Sequence, residues 1–366
     1  MTATTTTTTI TTTKTDAEPA PPVVHLVDDA PTRAAWREYV ERHREATLFH
    51  HPDWSDAVAE TFGHQPAHLF AERGGRLVGV LPLLEVRSWL AGRLLVSLPY
   101  AVYGGVLADD RQTTEALAAA AEDLAVARGA RCVDLHSRRA AVESWPCDTR
   151  YAAFRKRLPA SVADLATYLP RKARAAARQA QRREGLVVRH DDHAIPDAWR
   201  LYARSMRRLA SIAYPMRFFE ALARRPAWRT WVTFAQRDDR PVAAVASFVF
   251  RDTVLPYFLG VDERLRCTGA TNLLYLGVME RAVRAGLSWF DFGRTRRDNH
   301  GPFAFKRNQG FEPRTLEYQS FAPPGARRPN LSPDNPRFAV ARKLWPRLPL
   351  ALTTRLGSWL SSSIPG

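Results

Sequence analysis

One order of secondary-structure elements occurs twice in this chain, and that repetition constrains its fold more than any single motif. HLFAERGGRLVGVLPLLEV (68–86) reads as a strand, a Gly74-Gly75 turn and a second strand. A strand around Leu94–Pro99 follows, then a helix from Thr113 to Arg128 stopped by Gly129, then the strand CVDLHSRR (132–139). The second half returns to the same order. WVTFAQRDDRPVAAVASFVF (231–250) is a hairpin turning at Asp238-Asp239, and VLPYFLGV (254–261) is a strand. A helix from Thr271 to Ala285 stops at Gly286, and WFDFGRTRR (289–297) ends the unit. Asp134 corresponds to Asp291 at an offset of 157 residues, and Val78 to Val242 at 164. Four elements in one order are poorly explained by chance, so the expected fold is a tandem duplication of one α+β domain. A length of 366 residues suits two domains of roughly 150 residues each.

The organisation that follows is a Thr/Pro-rich leader at 1–22, a first repeat at 23–150, a basic linking region at 151–190, a second repeat at 191–322 and a basic, apolar tail at 323–366. The leader lacks the basic start and apolar run of a signal peptide and reads as disordered. Three widely separated cysteines offer neither a disulfide framework nor paired zinc-ligand spacing, which points to a reducing, cytoplasmic compartment. The longest uncharged run, Leu94 to Ala108, is shorter than the ~20 residues of a spanning helix and is broken by Pro99, Gly104 and Gly105. An integral membrane protein is therefore not expected.

Charge is distributed unevenly. Residues 1–150 carry 15 Lys/Arg against 20 Asp/Glu, whereas residues 151–366 carry 38 against 17. The second half should therefore face something anionic. Its most basic stretch, YLPRKARAAARQAQRREGLVVR (168–189), reads as a helix from about Arg171 to Glu184. Arg171, Arg174, Arg178 and Arg182 fall along one stripe, with no acid four residues away until Glu184. A solvated charged face and an anion-binding stripe both fit; unpaired like charges on one face favour the second.

The segment FDFGRTRRDNHGPFAFKRNQGFEP (290–313) is the densest in candidate chemistry. A strand delivers Asp291, Gly293 opens a turn with Arg294, Arg296 and Arg297, and Lys306 follows as one of only five lysines. A structural ion pair between Asp291 and Arg294 is the plainer alternative. The histidines offer less: His50-His51 precede a helix start at Pro52, and Pro66 interrupts the His64/His68 spacing, so no metal site is expected.

The hairpin–strand–helix–strand order, followed by FDFG, FK and GF, resembles the Gcn5-related N-acetyltransferase (GNAT) fold in its duplicated, Fem-type (FemAB-like) form. FHHPDWSDAVAETFGHQP (49–66) and GVLPLLEVRSWLAGRLLVSLPYAVYGGVLAD (79–109) look like the FemAB-like branch found near exosortase and exopolysaccharide loci. This resemblance implies two tandem acetyltransferase-like domains packed together, joined by the Arg-rich linking helix. It also implies transfer of an acyl or aminoacyl group to an amine of an anionic cell-envelope precursor, peptidoglycan or exopolysaccharide. No tightly bound cofactor is implied; the acyl donor would be aminoacyl-tRNA or acetyl-coenzyme A. The fold forms no covalent enzyme intermediate, so positioning and charge stabilisation carry the rate.

Carried over by position, Asp291 would orient or deprotonate the attacking amine, while Arg294 and Lys306 would stabilise negative charge or bind phosphate. Tyr103 and Tyr257 would line the cleft between repeats, with Asn272, Arg171, Lys172, Arg174 and Arg178 as further substrate contacts. Arg266, Gly269 and Thr271 stand where the coenzyme A pyrophosphate loop lies, though Thr271 replaces the usual small residue. Expected partners are the nucleotide- or lipid-linked acceptor, tRNA, and the inner-membrane surface through the tail, whose Trp345, Leu348, Leu356 and Trp359 mix with basic residues and no acid after Asn335; an extension docked on the exposed face of the first repeat fits the tail equally well. Two rival functions stand beside this one: a coenzyme A-dependent N-acetyltransferase acting on an amino sugar, and a non-catalytic anion- or membrane-binding protein that keeps the fold.

Overall fold

Each repeat begins with a strand and two helices, continues through a meander of strands, and closes with a helix and a strand. The computed structural model describes residues 20–26, 29–265, 267–330 and 335–364. Most of the expected leader, and Arg266, lie outside the described residues. The first repeat runs through β1 (Val23–Leu26), α1 (Ala30–Arg42), α2 (Pro52–Phe62), β2 (Gln65–Pro66), β3 (Leu69–Arg73), β4 (Arg76–Leu81), β5 (Leu84–Ser88), β6 (Gly92–Val96), β7 (Leu107–Ala108), α3 (Arg111–Ala127) and β8 (Val133–Leu135). Next come β9 (Cys147–Asp148), β10 (Tyr151–Arg157), α4 (Leu165–Tyr168) and α5 (Arg171–Arg182). The second repeat comprises β11 (Val187–His190), α6 (Ile195–Arg208), α7 (Met216–Ala223), β12 (Arg229–Arg237), β13 (Arg240–Phe250), β14 (Thr253–Val261), α8 (Ala270–Arg284), β15 (Trp289–Arg296), α9 (His300–Asn308) and β16 (Pro313–Thr315). Strand β17 (Tyr318–Phe321) and helices α10 (Ala339–Leu344) and α11 (Leu350–Ser361) complete the described chain.

Local chemistry sets the helix boundaries. Asp110 caps α3 by accepting the Thr113 N–H at 2.8 Å. His51 caps α2, its Nδ1 accepting the Asp53 N–H at 3.2 Å ahead of Pro52 at the first helical position. Gly63 ends the same helix in the left-handed region.

The strands form three sheets, ordered β1-β3-β4-β7, β2-β5-β6-β8-β17-β9 and β11-β12-β13-β14-β15-β10-β16. In each repeat the pairing is antiparallel except at one place: β6 with β8, and β14 with β15. Each parallel pairing holds over only two residue pairs, so the strands diverge beyond it. That divergence opens a wedge in each sheet.

Two strands cross the boundaries expected from sequence. Residues 151–157, expected in the linking region, form β10, which inserts between β15 and β16 of the second repeat. In return β17, expected to end the second repeat, lies between β8 and β9 of the first. The repeats have similar strands, so local sequence does not specify which of two equivalent edges each closing strand joins. A shared core reinforces the exchange. Phe49, Trp54, Phe62, Tyr100 and Tyr103 of the first repeat pack with Phe218, Trp228, Phe248 and Phe258 of the second.

Candidate active site between the repeats

Strand β15 carries Asp291 to the point where its wedge begins to open, and Gly293 then turns the chain through a left-handed conformation at φ +66°. The Gly293 N–H donates to Asp291 Oδ1 at 2.8 Å. Across the interface, the Tyr103 hydroxyl donates to the same carboxylate, 3.1 Å from each oxygen. Asp291 is 2% exposed. Burial, then the neighbouring Asp291 charge, raises the Tyr103 pKa well above its ordinary value, so the phenol keeps its proton. The Arg138 guanidinium lies over the Tyr103 ring at 4.4 Å.

A cavity of about 570 Å³ opens onto this pair. Arg44, Arg138, Arg155 and Arg251 line it, together with Trp289 and a wall of Phe49, Phe248 and Leu255. Arg155 reaches in from the exchanged strand β10, stacked on Trp289 at 4.1 Å and donating to Thr253 Oγ1 at 3.3 Å. Its buried Nε has no hydrogen-bond partner. Arg251 donates to the His43 carbonyl at 2.9 Å. Among the described residues, none of the four arginines is ion-paired to a carboxylate. Burial, then repulsion from Arg138, lowers the Arg155 pKa, and burial with Arg138 drives His50 down to about 3. The cavity is therefore a positively charged recess, four arginines against two carboxylates, Asp252 and the buried Asp291, and an anion entering it would relieve cation–cation repulsion.

The other expected catalytic groups lie behind the strand. Lys306, on α9, is not among the residues lining the cavity. Its Nζ donates to the carbonyls of Phe292 (2.7 Å) and Arg294 (3.1 Å), bracing the chain on both sides of Gly293. Burial brings its pKa down to about 7, with the Asp291 charge acting the other way. Arg294 does not pair with Asp291, the plainer alternative raised by the sequence. Its guanidinium packs on Tyr151 (4.9 Å) and Tyr318 (5.6 Å) and donates to the Tyr318 hydroxyl at 3.3 Å. Burial opposes its charge, but Tyr318 and Tyr151 more than offset that and raise its pKa. Tyr257 packs against Phe49 and Trp54, and its hydroxyl donates to the Tyr100 carbonyl.

Helices α5 and α8 hold a second group of expected residues away from the cavity. Ala173, Ala177 and Ala180 are buried where α5 meets α8, leaving Arg171, Lys172 and Arg178 exposed. Arg174 donates to the Leu169 carbonyl at 3.1 Å. Gly269 starts α8 at φ +78°, and a Cβ there would lie 2.2 Å from the Ala176 carbonyl oxygen. Close helix packing thus demands glycine at this position, whatever binds nearby. Thr271 and Asn272 are half-buried in the first turn of α8. A cavity of about 310 Å³ adjoins, lined in part by Asp262, Glu263 and Thr268. Its carboxylates hold Arg204, Arg264 and Arg208. The carboxylates beside α8 are thus already neutralised by arginines, and Gly269 is committed to helix packing.

Sequence reasoning identified Tyr103 and Asp291, and the structure brings them together. It missed Arg138, Arg155 and Trp289. One available signal was the tripeptide Leu-Pro-Tyr, at 98–100 and again at 255–257, whose offset of 157 equals that between Asp134 and Asp291. The first copy lies in the loop after β6 and the second within β14, and they meet at the interface, where the Tyr257 hydroxyl donates to the Tyr100 carbonyl. Of the buried histidines, His64 bonds the Tyr100 hydroxyl and His68 the Ser55 hydroxyl, both at 2.9 Å. No cluster of metal-ligating side chains occurs among the described residues.

Residues 170–307 match a family model described as an acetyltransferase (GNAT) domain, so the chain carries a GNAT-type domain that includes Asp291 and Gly269. Solved structures extend the likeness across both repeats. The crystal structure of FemX is 13% identical with a TM-score of 0.60, covering 81% of this chain and 96% of that one. A tandem GNAT protein from the clavulanic acid biosynthesis pathway is 15% identical with a TM-score of 0.53, covering 82% and 98%. No curated protein matches the sequence. The fold is a tandem GNAT fold, with the acetyltransferase (GNAT) family match confined to residues 170–307.

Proposed function

We propose that this chain transfers an acyl or aminoacyl group from an activated ester or thioester to an amine on an anionic cell-envelope precursor. One observation carries the reading: a buried carboxylate, Asp291, faces a cavity whose four arginines have no carboxylate ion-pair partner among the described residues. A phosphate-bearing acceptor would neutralise Arg138 and Arg155 and hold its amine beside Asp291. The amine then attacks the donor carbonyl, a C–N bond forms, and the donor's C–O or C–S bond breaks. Asp291 accepts the proton that the amine loses. Tyr103 stays protonated and fixes the carboxylate through its hydrogen bond. Lys306 acts through the strand, holding the turn that aims Asp291.

For the donor, the exposed cations Arg171, Lys172 and Arg178 on α5 suit a polyphosphate backbone better than the start of α8 suits a pyrophosphate. We therefore place aminoacyl-tRNA ahead of acetyl-coenzyme A. A cytoplasmic setting, where charged tRNA and nucleotide-linked precursors are made, follows from that choice. Likeness to the FemX fold supports an envelope acceptor, and the sequence resemblance favours the exosortase-associated branch within it.

The test pairs each donor with nucleotide-linked amino sugars and muramoyl peptides and reads product mass. An amide-linked product made with charged tRNA, and abolished in Asp291→Asn, is the expected result. A product made only with acetyl-coenzyme A moves the assignment to an amino-sugar N-acetyltransferase. Anion binding without product from either donor overturns the transferase reading in favour of a binding protein.

A further inference from the structure

Helix α11 sits on the protein with its faces reversed. An ordinary surface helix such as α3 buries Leu117, Ala121 and Ala125 and turns its charged side outward. In α11 the buried positions are Thr353, Gly357 and Ser361, one every four residues. Gly357 lies against the Ala213 carbonyl, where a Cβ would come within 2.9 Å, and the Ser361 carbonyl accepts the Tyr100 hydroxyl at 2.6 Å. The large apolar side chains face outward: Leu352 is 42% exposed and Trp359 58%, with Leu356 and Leu360 half-buried. Trp359 stacks on Trp89 at 5.2 Å and 20°, and Trp89, at the turn between β5 and β6, is itself 60% exposed. Helix α10 adds Val340 and Leu344, both half or more exposed. Lys343, Arg347 and Arg355 are exposed on the same segment, and no acidic residue occurs after Asn335.

We infer that this face, α10, α11 and the Trp89 turn, docks on the surface of an anionic lipid bilayer. Outward tryptophans and leucines flanked by cations suit the headgroup boundary, where indole rings partition and basic side chains meet lipid phosphates. A second copy is the poorer occupant, because it would bring the same uncompensated positive charge against this face. The inference stands apart from the transferase reading, since it concerns binding alone.

Co-sedimentation with vesicles of phosphatidylcholine, with and without 30% phosphatidylglycerol, tests it. The full chain should bind the anionic vesicles at least tenfold more tightly than the neutral ones, and lose that preference in high salt. The variant Leu352→Ser/Trp359→Ser, whose changes lie at exposed positions, should keep the wild-type melting temperature and bind at least tenfold more weakly. Arg347→Glu/Arg355→Glu should remove the preference for phosphatidylglycerol. Equal binding by wild type and the serine variant overturns the proposal. So does a concentration-dependent dimer, abolished by the serine variant, in a chain that binds neither vesicle.

Discussion

The hydroxyl of Tyr103 lies 3.1 Å from both carboxylate oxygens of Asp291, although the two residues belong to different repeats and stand 188 positions apart. The site therefore exists only when the repeats are docked. Asp291→Asn keeps the side-chain shape and the acceptor for the Gly293 N–H, and removes the proton acceptor. Transfer should slow by roughly 100- to 10,000-fold, with the melting temperature and anion affinity little changed. Single-turnover mass spectrometry on the active donor–acceptor pair reads this directly, and an Asn variant working at the wild-type rate takes Asp291 out of the chemistry.

Arg155 is the cavity cation with the clearest unmet valence: its Nε is buried without a partner, and Arg138 repels it. Arg155→Gln should weaken binding of pyrophosphate, used as a stand-in for the acceptor's anionic group, by about 10- to 100-fold. Stability should not fall, because a half-buried cation next to another cation is removed. Arg157→Gln, exposed at the end of the same strand, is the control and should leave affinity unchanged. Calorimetric titration of the two variants separates a specific anion site from diffuse surface charge.

What the sequence made legible was local. Strand alternation, the Gly129 and Gly286 stops and the recurring element order all reflect contacts between near neighbours, and the duplicated α+β fold followed from them. The exchange of β10 and β17 did not, because their partners lie more than 130 residues away or on an equivalent edge. Asp291 could be picked out on a strand, though that strand runs on to Arg296, but Arg44, Arg138 and Arg155 come from three separate segments of the chain. In a chain with 53 basic residues, a single arginine carries no contrast. Gly269 was legible as a special glycine and assigned to a phosphate loop; its nearest constraint is the backbone of Ala176.

That packing constraint can be measured by comparing two left-handed glycines that flank α8. Gly286 has φ +72° and open space around its missing Cβ, so Gly286→Ala should cost about 1 kcal/mol from backbone strain alone. Gly269→Ala carries the same strain and drives a methyl group to 2.2 Å from a carbonyl oxygen. It should cost at least twice as much, seen as a larger fall in melting temperature. Equal losses would mean that α5 yields readily, and would free Gly269 for the phosphate-loop role.

Lys306 supplies a prediction with a definite sign in pH. Burial brings its pKa down from 10.5 to about 7, so between those values the folded protein holds less proton than the unfolded chain. Stability from this group therefore rises with pH across that window, and below about 7 the full cost of the buried cation is present. Lys306→Met removes the titration and leaves the Phe292 and Arg294 carbonyls without their shared donor, a loss that does not vary with pH. The variant should thus compare best with wild type near pH 6. Its melting temperature relative to wild type should fall steadily toward pH 9.5. A difference that stays flat across that range would show that Lys306 does not titrate there, and that its ammonium is held charged by the two carbonyls and Asp291.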